Sequence, residues 1–272
     1  MGRVLAGLQP GDVVRGAGLA VVAPARGQGV HAEALRADGI GLGLTVETGF
    51  DGLVRTVPDE LAILSPGIVA PDGSTGACHD RAHTLLPSKW RSAYLWWFRG
   101  GSTPTEITRR KALASLKRAA TNITHARNDC GRADHVSAVS SYLGSTTIKP
   151  DINAAGCRTP DGRNVVGFGD LNAGFLGVTC TTYRIESRGN TTIEADMLLN
   201  KNDYQWTTRV TGCFYEAVVE AIATHEFGHV FGLGHVSESR HPRLTMSTAA
   251  APCDGSGSTL GLGDMLGLEA RY

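Results

Sequence analysis

The stretch IATHEFGHVFGLGH, Ile222 to His235, places three histidines and one glutamate in an otherwise apolar, glycine-rich run. His225 and His229 are four residues apart, so on a helix they project from one face, one turn apart. At that spacing two imidazoles reach a single metal ion at about 2.0–2.1 Å. Glu226 is rotated by about 100° from His225, close to a water on the metal but not ligating it. The stretch therefore predicts an active-site helix that carries a metal site.

The residues after this helix supply a turn and a third ligand. Gly232 can adopt a left-handed conformation and end the helix, which lets His235 return to the metal. Three neutral imidazoles leave a fourth position open, as in catalytic rather than structural zinc sites. Met246 follows in the segment LTMST. A lone H-E-x-x-H often occurs by chance, whereas H-E-x-x-H-x-x-G-x-x-H with a downstream methionine is a specific signal for zinc catalysis.

Overall composition excludes several classes of partner. The 272 residues carry 26 basic and 26 acidic side chains, so bulk charge predicts neither nucleic acid nor an anionic membrane as a partner. No apolar run approaches the roughly 20 residues that a membrane span needs. The composition is that of an ordinary folded protein.

Six cysteines occur from residue 78 onward, and none forms a C-x-x-C pair. Their even number and wide spacing favour three disulfides in an oxidising compartment, with about 15 pairings open. Six reduced thiols in a cytosolic protein are the alternative. The segment GAGLAVVAPA after Arg15 matches a signal peptide poorly, because Asp12 and two glycines weaken it. We therefore expect a secreted chain whose signal has been removed, or a strand at this position.

Two regions differ in their residue patterns. Residues 1–75 contain short apolar or alternating runs cut by glycine, aspartate and proline, which predicts a small β-rich N-terminal region. The stretch SPGIVAPDGSTGA, Ser65 to Ala77, suits a linker. Residues 76–272 contain a helix, a run of strands and then two helices separated by an irregular loop, which predicts an α+β domain.

The first helix is predicted over Ser102–Thr124. Its start carries capping signals, with Thr103 as N-cap, Pro104 at the first position and Glu106 completing a capping box. Four apolar residues share one face: Leu113, Leu116, Ala120 and Ile123. The second helix is predicted from about residue 214 to residue 230.

These features resemble the metzincin metallopeptidases, and among them the matrixins and their bacterial relatives. The resemblance covers roughly Cys78 to Tyr272 and depends most on HEFGHVFGLGH and Met246. GVTCTTY and IEADMLLN are similar to the edge strand and adjoining strand that precede the matrixin active-site helix. GDMLGLEARY is similar to the final helix, which Asp264 would cap. The implied fold is a metzincin-type catalytic domain with a twisted mixed sheet, an active-site helix, and an irregular C-terminal part that contains a methionine turn and a final helix.

The resemblance implies a secreted zinc-dependent endopeptidase that acts as a monomer on extracellular proteins or peptides. One catalytic zinc would be held by His225, His229 and His235. Glu226 would act as the general base towards the zinc-bound water, and Met246 would form the floor of the site. The substrate would extend along the edge strand by backbone hydrogen bonds. The strand residues nearest the site would be Leu176, Gly177, Val178 and Thr179.

Three departures from the family pattern affect this interpretation. Val236 stands where animal matrixins usually carry Ser or Thr, which favours a bacterial branch. Thr248 stands where astacin-like members carry a tyrosine ligand, so we expect no fifth ligand. No His-Asp-His set precedes His225, so a second zinc is not expected. A calcium site is left open, because Asp196 could ligate Ca²⁺ but a solvent-facing carboxylate on a strand is commoner.

Residues 1–75 have two interpretations, an inhibitory pro-segment or an accessory module. The matrixin cysteine switch is absent. Cys78 as a zinc ligand is a weaker alternative to Cys78 in a disulfide. Asp51 as a carboxylate switch is a weaker alternative to Asp51 in a hairpin turn. The six histidines outside the motif, His31 among them, are expected to be surface or internally satisfied residues.

Two other functions compete with the peptidase. One is a non-catalytic metal-binding or adhesion module on a metzincin-like fold, and the other is a zinc hydrolase that acts on a non-peptide amide. The presence of Glu226 and of all three histidines favours the peptidase.

Overall fold

A computed structural model describes residues 2–57, 76–248 and 250–272. The N-terminal part forms six strands: β1 (Arg3–Val4), β2 (Val13–Gly16), β3 (Leu19–Val22), β4 (Gln28–Arg36), β5 (Gly41–Thr48) and β6 (Val54–Val57). The middle part forms β7 (Thr84–Leu85), β8 (Ser88–Lys89), β9 (Tyr94–Phe98), α1 (Arg109–Thr124), β10 (Ser140–Ser145), β11 (Ile152–Asn153), β12 (Gly156–Cys157) and β13 (Asn164–Gly169). The last part forms β14 (Phe175–Arg184), β15 (Asn190–Asn200), β16 (Trp206–Thr207), β17 (Ala217–Val218), α2 (Val219–Val230), β18 (Leu233–Gly234) and α3 (Leu262–Arg271). The described chain is thus strand-rich and mixes α and β elements.

The largest sheet combines N-terminal strands with strands from the rest of the chain. Its order is β1-β6-β5-β4-β14-β15-β13-β9-β10, and β8 pairs with β15. The pairs from β1 to β15 are antiparallel, whereas β13 is parallel to both β15 and β9. A second sheet, β11-β12-β3-β2, again joins the two regions. The predicted linker falls mostly within residues 58–75, outside the described residues.

The expected edge strand, β14, is an interior strand. β15 pairs with one side of it, and β4 pairs antiparallel with the other, placing Glu33 opposite Thr179 and Ala34 opposite Val178. The burial of β4 explains why it lies beside β14. Apolar residues alternate along β4, and three small ones on one face enter one core cluster: Val30, Ala32 and Ala34. Leu35 enters the other cluster. A strand buried on both faces needs pairing on both sides to satisfy its backbone groups.

The larger core cluster joins the sheet to α1 and α2. Trp96 lies 5.7 Å from Phe227 between ring centroids, and Tyr94 lies 5.8 Å from Phe231, so α2 is packed against β9 through aromatic rings. Three of the apolar residues predicted on α1 are buried in this cluster: Leu116, Ala120 and Ile123. The cluster fixes α2 on the sheet along the helix turns that carry His225 and His229.

The first helix begins later than predicted, at Arg109. Thr108 is its N-cap, with a side-chain oxygen that accepts a backbone N–H three residues on. Glu106 does not complete a capping box; its carboxylate accepts the backbone N–H of Trp206 at 2.9 Å. The carboxylate that the local pattern assigned to the helix start therefore binds a residue far along the chain instead.

The second helix also begins later than predicted, at Val219. Phe214 and Tyr215 are exposed, and Tyr215 has a φ of +61°, which is incompatible with a helix. The last helix has Gly261 as its N-cap, and Asp264 is the third residue of the helix rather than the cap.

Three disulfides form, as predicted: Cys78–Cys130, Cys157–Cys180 and Cys213–Cys253. Cys78 is therefore not a thiolate ligand. Asp51 lies in the turn between β5 and β6, where its carboxylate pairs with Arg55 and accepts the N–H of Leu53, as a hairpin turn requires. No helix within the described ranges has the length and hydropathy needed to cross a membrane.

We expect Leu116→Ala to lower the free energy of unfolding by about 2–5 kcal/mol, because it leaves a cavity between α1 and the sheet. The matched control is Leu113→Ala on the same helix, where the side chain is only partly buried. Urea denaturation of both variants measures the difference. Equal losses would show that the buried face of α1 is not the one described.

Candidate metal centre

Three histidine nitrogens converge at the end of α2. The Nε2 atoms of His225, His229 and His235 lie 3.0–3.1 Å from one another. Three ligands at 2.0–2.1 Å from one tetrahedral ion would be separated by about 3.3–3.4 Å, so the observed spacing is close to that of a metal site. The three residues form a group that could hold a metal ion.

A glycine turn brings the third histidine back to the helix. Gly232 has a φ of +87°, and its N–H donates to the carbonyl of His229 at 2.9 Å. A Cβ at this position would lie 2.8 Å from the carbonyl oxygen of Ser88, so a side chain would collide with backbone as well as strain the turn. The chain then pairs in β18 with β7 and delivers His235 to the site.

The hydrogen bonds of the outer ring nitrogens determine the tautomers. Nδ1 of His225 lies 2.8 Å from the carbonyl of Thr245, and Nδ1 of His229 lies 2.8 Å from that of Leu233. A carbonyl oxygen can only accept, so both Nδ1 atoms carry the proton and both Nε2 lone pairs point inward. Inward lone pairs at this distance repel one another unless a cation lies between them. The donor set therefore fits a metal ion bound by imidazole nitrogen.

Burial keeps these histidines neutral. Burial, followed by the neighbouring histidines, lowers the pKa of His225 well below its ordinary value. Burial, followed by electrostatic repulsion from His235, lowers the pKa of His229 to about 3. Metal ligands must be deprotonated, so the two helix histidines are in the correct state at neutral pH.

The outer nitrogen of His235 faces a carboxylate that the sequence patterns did not reveal. Nδ1 of His235 lies 2.7 Å from Oε2 of Glu33, and Oε1 of Glu33 lies 2.9 Å from Nε2 of His31. Burial alone would raise the pKa of Glu33. The electrostatic attraction and close contact of His235, then the hydrogen bond of His31 and the electrostatic attraction of His229, outweigh burial and hold that pKa well below its usual range. A charged residue in a strand buried on both faces was the signal that could have pointed to Glu33.

Glu226 is fully buried between α2 and β14. Its Oε2 accepts the hydroxyl of Thr179 at 2.5 Å. Its Oε1 has no hydrogen-bond partner among the described residues, and a Cβ on Gly177 would lie 2.5 Å from that atom. Burial raises the pKa of Glu226 to about 8, against the hydrogen bond from Thr179. Of the four strand residues predicted to lie nearest the site, Gly177 and Thr179 therefore lie against Glu226.

Met246 lies directly beneath the helix. A Cβ on Gly228 would lie 2.2 Å from its sulfur, so only glycine allows this contact. The carbonyl of Met246 accepts the N–H of Val236 at 2.9 Å, which ties the methionine turn to the residue after His235.

Asp264 fixes the segment that contains Thr245 and Met246 to the last helix. Its carboxylate accepts the backbone N–H groups of Thr245, Met246 and Gly261 at 2.8–3.1 Å. Burial raises the pKa of Asp264 to about 6 despite these donors. Because the carbonyl of Thr245 accepts from His225, Asp264 acts on this candidate ligand through one peptide unit.

The site opens to the surface beside His235. A cleft of about 390 Å³ there is lined by residues that include Gly39, Gly41, Ser237 and Thr248. A Cβ on Gly41 would lie 2.6 Å from the Nδ1 atom of His235, so the β4–β5 hairpin lies directly against this histidine.

A second group of acidic residues lies away from the histidines. The carboxylates of Asp151, Asp161 and Glu194 approach within 4.8 Å of one another, and burial raises the pKa of Glu194 to about 7. The expectation that Asp196 faces solvent is wrong. Its side chain is buried and accepts the N–H groups of Asp151 and Val165, each at 2.6 Å.

Neither a family model nor a curated protein matches this chain. The chemistry of the site is therefore argued from its residues.

We expect Asp264→Ala to lower the free energy of unfolding by more than about 3 kcal/mol, because it leaves three buried N–H groups without their acceptor. Asp254→Ala is the control, since that exposed carboxylate accepts one N–H, from Ser256. Denaturant unfolding of the metal-free proteins measures both. Similar losses in the two variants would contradict the anchoring role of Asp264.

Proposed function

We propose that the chain is a secreted zinc-dependent endopeptidase of the metzincin type, related to the bacterial branch of the matrixins. The observation that carries the proposal is the convergence of three imidazole nitrogens beside a buried glutamate that has one unpartnered oxygen. The methionine beneath the helix and the glycine turn before the third histidine support the same family.

Zinc is the metal that this donor set suits best. Three neutral imidazoles and an open fourth position are typical of catalytic zinc, whereas calcium and magnesium prefer oxygen ligands. When bound, zinc supplies Lewis-acid chemistry: it polarises a peptide carbonyl and lowers the pKa of a water molecule towards 7.

Glu226 is the proposed general base. Its Oε2 is held by Thr179, so the carboxylate has one orientation, and Oε1 is left to take a proton from the attacking water. The same oxygen would then deliver that proton to the leaving amine. Burial raises the basicity of the carboxylate, and a cation at the histidines would oppose that rise and bring its pKa towards the working range.

The substrate position proposed from the family is already occupied. A peptide that added to β14 would form an antiparallel or parallel ladder with its backbone, and β4 forms such a ladder from Gln28 to Arg36. The described form would therefore be latent, with β4 in place of substrate. This favours the inhibitory pro-segment over the accessory module for residues 1–75.

The alternative of a non-catalytic metal-binding module has one observation in its favour. Glu226 and His229 are 0% exposed, and the β4–β5 hairpin lies against the third histidine. A permanently closed site would bind metal without turning over peptides, so an opened form of the chain separates the two functions. The three disulfides support an extracellular location for either function.

We expect zinc-loaded chain carrying an inserted protease recognition sequence after residue 67 to hydrolyse a broad peptide library only after it has been cut there. Cutting frees residues 1–67 from the rest of the chain and allows β4 to leave. Glu226→Ala, cut in the same way and shown to hold equal zinc, is the matched control and should lose at least about 10²-fold in rate. A chelator should abolish the activity of the cut parent. Absence of peptide hydrolysis by the cut, zinc-loaded parent would favour the non-catalytic module.

A reversible lock tests whether β4 itself causes the latency. Ala34 and Val178 are direct cross-strand partners, so cysteines at both positions are close enough for a disulfide. We expect the cut Ala34→Cys/Val178→Cys protein to stay inactive until a mild reductant is added. The cut parent with the same reductant controls for damage to the native disulfides. A locked protein as active as the cut parent would show that substrate does not need the edge of β14.

A further inference from the structure

We propose that Glu33 is a positioning residue for the third metal ligand, so that the N-terminal region completes the metal site rather than merely covering it. This inference rests on the proposed metal site at His225, His229 and His235. It assigns to β4 a role that is independent of peptide hydrolysis.

The position of Glu33 in β4 explains how a carboxylate reaches His235. Alternate residues of a strand point to opposite faces, so His31 and Glu33 share the face opposite to Val30 and Ala32. That face meets the histidine site, and Glu33 is 4% exposed. A carboxylate is costly to bury, and it is retained in a strand interior only where it has partners.

The contacts of Glu33 form a chain across three parts of the fold. Nδ1 of His31 lies 2.6 Å from the hydroxyl of Thr45 on β5, and Nε2 of His31 lies 2.9 Å from Oε1 of Glu33. The second carboxylate oxygen, Oε2, lies 2.7 Å from Nδ1 of His235. His31 thus holds one oxygen and leaves the other directed at the metal ligand.

Within the part of the chain that the structure describes, no donor reaches Oε2 in good hydrogen-bond alignment, although the atom is buried and pairs with Nδ1 of His235 at 2.7 Å. The other two ligands already donate to carbonyl oxygens. Glu33 supplies the third ligand with the corresponding acceptor, and it is the one charged acceptor of the three.

Outer partners of this kind fix the ring orientation and raise the basicity of the ligand, and their removal typically weakens metal binding by about 10–100-fold. Because Glu33 belongs to β4, binding of the metal and docking of β4 should favour each other, as linkage requires of any two coupled equilibria.

The test measures metal affinity in the intact chain. Zinc affinity is obtained by competition with a chromophoric chelator, and Co²⁺ replaces zinc for the visible absorption spectrum, which reports the geometry of the ligands. We expect Glu33→Ala to bind zinc about 10–100-fold more weakly and to have an altered Co²⁺ spectrum. Glu33→Gln keeps an acceptor oxygen for Nδ1 and should recover part of the affinity.

Glu47→Ala is the matched control, because Glu47 lies on neighbouring β5 and accepts the hydroxyl of Tyr183 at 2.9 Å instead of facing a metal ligand. Its zinc affinity and Co²⁺ spectrum should equal those of the parent. Parent-like zinc affinity and spectrum in Glu33→Ala would overturn the inference. If that variant does not fold, parent-like values for both in Glu33→Gln would overturn it. Failure of the parent to bind zinc would instead contradict the proposed function.

Discussion

The site depends on holding three imidazole nitrogens within 3.1 Å of one another although their lone pairs repel. In the described form each ring is held by an acceptor that faces its outer nitrogen. These acceptors come from three separate places: the carbonyl of Leu233 just after α2, the carbonyl of Thr245 in the methionine turn, and the carboxylate of Glu33 in β4. Each is anchored in turn, by the β7–β18 pair, by Asp264, and by the two strands that flank β4. Much of the fold therefore serves to place three acceptors behind three rings.

Glu226 adds a second constraint, because its carboxylate is buried beside those rings. One hydrogen bond from Thr179 only partly compensates for the lost water, so burial raises its pKa to about 8. A dication at the histidines favours the charged carboxylate and lowers that pKa. A metal ion at the histidines would therefore favour the ionised form that a general base needs.

The sequence predicts the local parts of this site and misses its long-range parts. The spacing of His225 and His229, the glycine turn and the disulfide count follow from short patterns, and the structure has each of them. The predicted start of α1 is wrong because Glu106 accepts a hydrogen bond from Trp206, a hundred residues along the chain, instead of capping its own helix. Glu33 was missed for a related reason. Its partner lies far along the chain, and no periodic pattern shows which face of β4 meets which ligand.

The same long-range pairing determines how the proposed latent form would open. β4 is hydrogen-bonded to β5 on one side and to β14 on the other, and its small apolar residues belong to a core cluster that includes Val178 and Leu198. Its displacement would break two ladders and expose that cluster, together with the buried pair of His31 and Glu33. Spontaneous loss of one strand from the interior of a sheet is therefore costly. Cleavage of the connection to the rest of the chain would leave these contacts in place, but it would turn their loss into a dissociation, which gains translational and rotational freedom that a tethered strand cannot gain. A covering strand built in this way suits a site that opens once rather than one that opens in every cycle.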